Sequence, residues 1–375
     1  MESKTITFIR ATPLVSDSRV EKETVSLSNN GFNVKILGWD REGKYVKQEN
    51  CYENIQINRF KLKAPYGRPN LVLYLFIWWI YEFYWLLTNR WDFVHACDFD
   101  TLIPALLVVK IKQKKIVYDI FDFYAETLPL QTPKAVRNIV AKIERFFLQF
   151  VDIVIIVDES RKKQVEGTKI RELVYIMNTP KDMITKLDKI DENRNFIIFY
   201  GGLLAEERGL HQIINATENL DDIKIVIAGF GRGEEELKLL FQKAKNVQFI
   251  GKIPYNDVLL ETMKADLLFA LYDPSVPNNR YASPNKIFEA MMCKKPIIVS
   301  DSSSMANIVK KVNCGIVVAY GDIDSIRNAV LKLKNNPQLR KYLGDNGRKA
   351  YEEKYNWEIM EKRLIGIYND LTDVN

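Results

Sequence analysis

The stretch Asn278–Asp301, NNRYASPNKIFEAMMCKKPIIVSD, concentrates residue types that could hold a phosphorylated ligand. Tyr281 to Asn285 reads as a loop in which Pro284 has no amide hydrogen to give. Lys286 to Met292 reads as a helix with Ile287, Phe288, Ala290 and Met291 apolar, and IIVS after Pro296 reads as a buried strand. Free amides at a helix N-terminus attract phosphate. Glu289, a turn further in, can accept hydrogen bonds from sugar hydroxyls. Together they could cradle a nucleotide diphosphate and its ribose. An ordinary βαβ connection with one solvated glutamate is the alternative.

A second candidate is the loop of GGLLAEERGL. Its Gly201 and Gly202 can bring backbone amides close to a phosphate, and Arg208 adds a positive fork. The run GFGRG at 229–233 is a weaker signal, as it fits a tight turn equally well. A third candidate is a set of acids at two strand ends. Asp98, Asp100 and Thr101 follow the strand at Phe93–Ala96; Asp122 and Glu126 follow KKIVYDI. Open α/β sheets bind ligands at such ends, so these acids suit hydroxyl recognition or base catalysis, with capping and turn roles as the alternative.

Other chemistries are poorly provided for. Cys51, Cys97, Cys293 and Cys314 show no CxxC spacing and sit in or beside apolar runs, so buried free thiols are expected. His95 and His211 are the only histidines, which argues against a histidine-based metal site.

These residues need a framework of alternating strands and helices. Thr5–Arg10, a helix from about Val20 to Asn30 and Phe32–Leu37 start a doubly wound sheet. The first loop, TPLVSDSRV, lacks the glycines of a dinucleotide fingerprint, with Asp17 and Arg19 near its end. The alternation restarts at Phe196 after a polar segment without apolar period, KDMITKLDKIDENRN. The expected organisation is an N-terminal domain over 1–180, a linker over 181–195, a C-terminal domain over 196–350 and a helical tail over 351–375. The tail's YNWEIMEKRLIGIYNDL is amphipathic and must pack on something, expected to be the N-terminal domain.

Charge is uneven. Residues 1–190 hold 29 Lys+Arg and 23 Asp+Glu, whereas 191–375 hold 25 of each, so the whole excess of +6 lies in the first half. Such a half suits an anionic partner. The basic run RFKLKAPYGRPN leads into LVLYLFIWWIYEFYWLL at 71–87, whose one charge is Glu82. Its length is the short limit for crossing a bilayer, and Glu82 makes a span costly. A buried domain helix and an interfacial helix remain, the latter with Trp78, Trp79 and Trp85 as anchors. The opening MESKTITFIR runs straight into a strand, so a cytoplasmic protein is expected, peripheral at the inner membrane face if that helix meets lipid.

Taken in order, YGGLLAEERGL, VIAGFGRGEEELK, FIGKIPYNDV, ADLLFALY and SPNKIFEAMMCKKPIIVSD resemble the retaining glycosyltransferases of family 4, the group 1 glycosyl transferases with the GT-B fold. The first half adds SDSRVEKETVSLSNNGFNVKIL, DFVHACDFDTLIPAL, KIVYDIFDFYAE and VDIVIIVDESR. The resemblance implies two Rossmann-like domains facing across a cleft, with donor bound by the second and acceptor by the first. Glu289 would hold the donor's ribose, and the amides around Ser283, Asn285 and Lys286 the diphosphate, with Lys286 as extra charge. Arg208 takes the place of the family's phosphate-binding cation. Lys252 and Ile253 fall where the backbone meets the nucleobase. Two family residues are replaced, the first acid of the two-glutamate motif by Tyr281 and a basic residue by Gly202. Many relatives carry a histidine near Phe121; here Asp119, Asp122 or Asp98 would stand near the acceptor. The implied partners are a nucleotide-sugar donor, used as substrate without cofactor or metal, and a glycan or lipid-linked acceptor; the basic first half and the aromatic helix add an anionic membrane surface, and nucleic acid is not expected. The implied activity is retaining transfer of a sugar in surface polysaccharide or glycoconjugate synthesis. Alternatives are a nucleotide-sugar epimerase on the same fold and a non-catalytic subunit of a membrane assembly.

Overall fold

The computed structural model describes all residues except 1–2, 15–16, 52–53, 66–70, 130, 185–194, 232, 283–284 and 374–375. Most of the expected linker, and Ser283 of the expected phosphate loop, therefore lie outside the described residues. The chain divides into two compact units, one of Met1–Met177 with Met360–Asn375 and one of Asn178–Ile359. The tail expected to start at 351 is thus shared: its residues up to Ile359 group with the second unit, and those from Met360 with the first.

The first unit is built on strands β1 (Thr5–Arg10), β2 (Asn33–Asp40), β3 (Gln48–Cys51), β4 (Ile55–Lys61), β5 (Phe93–Cys97), β6 (Lys115–Ile120), β7 (Ile153–Ile156) and β8 (Leu173–Tyr175). Their order is β3-β4-β2-β1-β5-β6-β7-β8, parallel except that β3 runs antiparallel to β4. The order reverses direction between β1 and β5, so these two strand ends form a switch point. The inner strands are buried along nearly their whole length, as continuous runs such as IVII and FVHAC require of a sheet covered on both faces.

The helix Leu71–Thr88 resolves the ambiguity of the apolar stretch by using both faces. Trp78, Glu82, Trp85 and Leu86 are buried, while Leu73, Phe76, Ile80 and Tyr84 on the other side are exposed. The tryptophans that would anchor an interfacial helix face inward instead: Trp78 and Trp85 are buried, Trp79 is half-buried against the core, and Trp78 stacks on Trp39 at 5.8 Å. The indole N–H groups of Trp78 and Trp79 both donate to the Asp100 carbonyl, at 3.2 and 2.9 Å. Among the described residues no helix is long and apolar enough to cross a membrane. The last helix, Trp357–Asp373, brings Tyr368 into the first unit's core, where its hydroxyl is 2.7 Å from His95 Nδ1.

The second unit has strands β9 (Phe196–Leu203), β10 (Ile223–Phe230), β11 (Val247–Gly251), β12 (Leu267–Ala270), β13 (Ile297–Ser300) and β14 (Gly315–Val318), all parallel, in the order β11-β10-β9-β12-β13-β14. This is the doubly wound order with its switch point between β9 and β12. β9 pairs with β10 as far as Leu203, but its pairing with β12 ends at Phe199. The Gly201–Leu203 segment therefore has one edge outside the ladder.

Candidate functional site

At the second unit's switch point, the glycines of β9 make room for a cation from another element. The helix Asn285–Met292 has all of its side chains from Lys286 to Met292 buried. A lysine on so buried a helix must find a partner for its charge. The Lys286 ammonium lies 4.2 Å from the centroid of the Tyr200 ring, a cation–π contact. It also fills the space above Gly202, where a Cβ would stand 2.5 Å from Lys286 Nζ. Gly202 has φ +152, a conformation that side-chain-bearing residues rarely adopt. Burial opposes the charge on Lys286, but Tyr200, Tyr272 and Glu289 outweigh it and leave the pKa above the ordinary lysine value. The group is a fixed cation at neutral pH.

Arg208 supplies the second cation. It ends the short 3-10 turn Glu206–Arg208, and its guanidinium lies 4.2 Å over the Tyr272 ring. Its Nη1 donates to Asn279 Oδ1 at 3.3 Å, while its buried Nε has no partner among the described residues. Asn279 is itself buried and anchored by its Nδ2 on the Asp273 carbonyl at 3.0 Å. It was not singled out by sequence reasoning; the only available signal was its place in PNNR, just before the phosphate-loop candidate.

Glu289 is buried one turn along from Lys286, and its Oε1 accepts a hydrogen bond from the Tyr255 hydroxyl at 3.0 Å. Burial, reinforced by the Glu289 charge, pushes the Tyr255 phenol well above its ordinary value, so it stays a donor. Tyr255, also absent from the sequence reading, opens the helix Tyr255–Lys264 that follows Lys252 and Ile253. The ammonium of Lys252 lies 4.6 Å over the half-exposed Phe230 ring at the end of β10. Tyr281 closes the short helix Pro277–Arg280 and is half-buried.

The GFGRG run has a packing explanation. A Cβ on Gly229 would collide with the Gly202 carbonyl, and one on Gly231 with the Leu204 carbonyl. These glycines let the end of β10 approach the end of β9; they need no phosphate to account for them.

The first unit's acids separate into different roles. Asp119 is fully buried. Arg19 grips it with two hydrogen bonds of 2.8 Å, and His95 Nε2 lies 3.5 Å from it. Burial pushes its pKa up, but Arg19 outweighs this and holds it below the ordinary value. Asp119 is thus a core ion-pair residue and offers nothing to a substrate. With Glu23 and His95 it makes a cluster of metal-ligand types, but Arg19 already supplies that cluster's positive charge. Asp122 is partly exposed and pairs with Arg161 at 2.7 Å.

Asp98 stands apart. It follows β5 at the switch point with φ +65, rare for a non-glycine residue. One oxygen accepts from the Phe121 amide at 2.9 Å, and the other pairs with Arg10, which extends from the end of β1. Burial, only partly offset by Arg10, pushes its pKa up to about 6. A carboxyl with that value can exchange a proton near neutral pH.

Residues 181–350 match the family model for glycosyl transferases group 1. A GDP-mannose-dependent monoacylated alpha-(1-6)-phosphatidylinositol monomannoside mannosyltransferase of Corynebacterium glutamicum is 27% identical over 197 residues, 50% of this chain and 51% of the relative. The chain spans between 47% and 64% of the length of the first curated relatives it matches. Sucrose-phosphate synthase from Thermosynechococcus elongatus has a TM-score of 0.81 at 14% identity, over 99% of this chain and 100% of that one. HepE of Anabaena, solved in complex with UDP-glucose, has a TM-score of 0.72 at 13% identity, over 98% and 99% of the two chains. At these identities the likeness to solved structures is one of fold. The chain has the GT-B fold, and its residues 181–350 resemble the glycosyl transferases group 1 family.

Proposed function

We propose that the protein is a retaining glycosyltransferase that moves a hexosyl group from a nucleotide sugar to a glycan or lipid-linked acceptor in glycoconjugate or surface polysaccharide synthesis. The observation that carries this reading is the pairing of Lys286 and Arg208 at the β9–β12 switch point, with Glu289 one turn along the same helix as Lys286. Two cations held by aromatic rings are suited to an anion that gains charge. As the glycosidic bond breaks, the leaving diphosphate becomes more negative, and fixed cations stabilise that state without reorganising. Glu289, already oriented by Tyr255, accepts from the ribose hydroxyls. The amides of Gly201, Gly202 and Asn285 and the backbone of Lys252 and Ile253 complete the donor's contacts. The UDP-glucose bound by HepE and the GDP-mannose dependence of the Corynebacterium relative both support a nucleotide-sugar donor.

Asp98 is the first unit's candidate for contact with the acceptor hydroxyl, on the strength of its position and its pKa of about 6. In a retaining reaction by same-face attack, the acceptor oxygen forms the new bond to the anomeric carbon as the bond to the diphosphate breaks. The hydroxyl proton passes to the leaving phosphate. Asp98 would orient that hydroxyl.

The test is a panel of nucleotide sugars incubated with the protein and a membrane extract, with the product's anomeric configuration read by NMR. Transfer with the donor's configuration kept is expected. Inversion contradicts the retaining assignment, a free epimer formed without acceptor indicates an epimerase, and binding with neither transfer nor hydrolysis indicates a non-catalytic subunit.

A further inference from the structure

One side of the first unit is apolar, and the three helices that form it carry no exposed carboxylate among the described residues. Three helices form it: Leu71–Thr88, Phe99–Lys112 and Lys134–Leu148. Trp78, Leu102 and Leu148, one from each, belong to a single buried apolar cluster, which places the three helices on the same side of the sheet. Of the 22 large apolar side chains that are exposed among the described residues, 14 lie on these helices or, as Phe150, directly after them. Such concentration is not the ordinary scatter of surface hydrophobics and marks a contact surface. Leu73, Phe76 and Ile80 represent it on the first helix and Ile139, Ile143 and Phe146 on the third. On the third helix the exposed apolar positions recur at 136, 139, 143 and 146, a continuous stripe on a face distinct from the one bearing buried Glu144 and Leu148.

The charges on these helices are sorted by sign. Their carboxylates are Glu82, Asp100 and Glu144; Glu82 and Glu144 are buried, and the Asp100 side chain is 15% exposed. Burial pushes Glu82 well above the ordinary carboxyl range and Glu144 up to about 8, so burial disfavours the charged form of both. The exposed charges are Lys110, Lys134, Lys142 and Arg145, all positive. Helices that expose apolar and basic side chains and no acid complement a surface that is apolar within and anionic at its boundary.

We propose that this face docks the protein peripherally on a bilayer containing anionic phospholipid. Pairing with a second copy would satisfy the apolar stripe but would bring Lys134, Lys142 and Arg145 toward their own counterparts. Anionic headgroups satisfy both features at once. The inference rests on the first unit alone and stands whether or not the chain is a transferase.

The test is flotation of the full chain with vesicles of phosphatidylcholine, with and without phosphatidylglycerol. The protein is expected to float with the anionic vesicles, to bind phosphatidylcholine alone at least about tenfold more weakly, and to be released by salt. Two variants separate the contributions, Ile139→Ser/Ile143→Ser/Phe146→Ser for the stripe and Lys134→Glu/Lys142→Glu for the charge. Each is expected to lower binding to anionic vesicles at least about tenfold while melting temperature and nucleotide binding hold. Because the charge variant leaves every apolar residue in place, it still decides the matter if the stripe variant misfolds. Wild-type protein that stays in solution with anionic vesicles overturns the proposal. So does a lipid-free dimer in sedimentation that the stripe variant abolishes, which would make a second copy the occupant.

Discussion

Lys286 occupies the space that a side chain at position 202 would need: a Cβ on Gly202 would stand 2.5 Å from Lys286 Nζ. The glycine at the end of β9 and the lysine at the start of a later helix are therefore one device. Gly202→Ala should displace the ammonium and weaken nucleoside diphosphate binding about tenfold or more, comparably to Lys286→Ala. The double variant should lose little beyond either single change, because both remove the same placed cation. Calorimetric titration across this cycle checks it; additive losses would show that the two positions act independently.

Tyr255 holds Glu289 through one hydrogen bond of 3.0 Å. Tyr255→Phe should cost about 1 kcal/mol of nucleotide affinity with the fold intact. Glu289→Ala should cost more, since the ribose loses its acceptor. Binding by a deoxyribose analogue distinguishes the two accounts: if Glu289 meets the ribose, the analogue should be less sensitive than the ribonucleotide to the Glu289 change.

Arg19 balances Asp119 and Glu23 in the first unit's core. Arg19→Met removes one partner from a buried ionic cluster and should destabilise folding by about 3–5 kcal/mol. Urea denaturation measures this. A variant with full stability would mean that Asp119 is solvated and open to substrate.

Glu144 gives a pH signature. Burial raises its pKa to about 8, although the Tyr118 hydroxyl and the Tyr124 amide both donate to it. The folded state therefore holds this proton more tightly than the unfolded chain does. The associated stability is fully present below the ordinary glutamate value near 4.5 and is lost as pH rises through about 8. Each pKa unit corresponds to about 1.4 kcal/mol. Glu144→Gln, which keeps an acceptor for Tyr118, should flatten this part of the stability profile between pH 5 and pH 8, on the order of a few kcal/mol. An unchanged slope would assign it to other groups.

Much of this was legible in the residue order because continuous apolar runs and helical spacing report burial directly. The two alternating sheets, the helix carrying Glu289 and the loop carrying Arg208 all followed from such patterns. What could not be read was which polar residues face each other across separate elements. Asp98, Asp119 and Asp122 look equivalent in sequence, all at or just beyond the ends of neighbouring strands. Only the fold shows that Arg19, a hundred positions from Asp119, takes that acid out of play. Asn279 and Tyr255 were missed for the same reason, since each acts by orienting a residue far from it in the chain. The 71–88 helix stayed open between a buried and an interfacial reading because apolar residues fill both of its sides, so the sequence did not show that Trp78 and Trp85 face inward.

The central claim, that Lys286 stabilises a departing nucleoside diphosphate, is tested most directly by the rate of diphosphate release from a panel of nucleotide sugars. The wild-type chain and its Lys286→Ala variant are compared with acceptor present. The account predicts release from at least one sugar by the wild type and a fall of about 100-fold or more in the variant. Equal rates from the two proteins, or no release by the wild type from a sugar it binds, would contradict it.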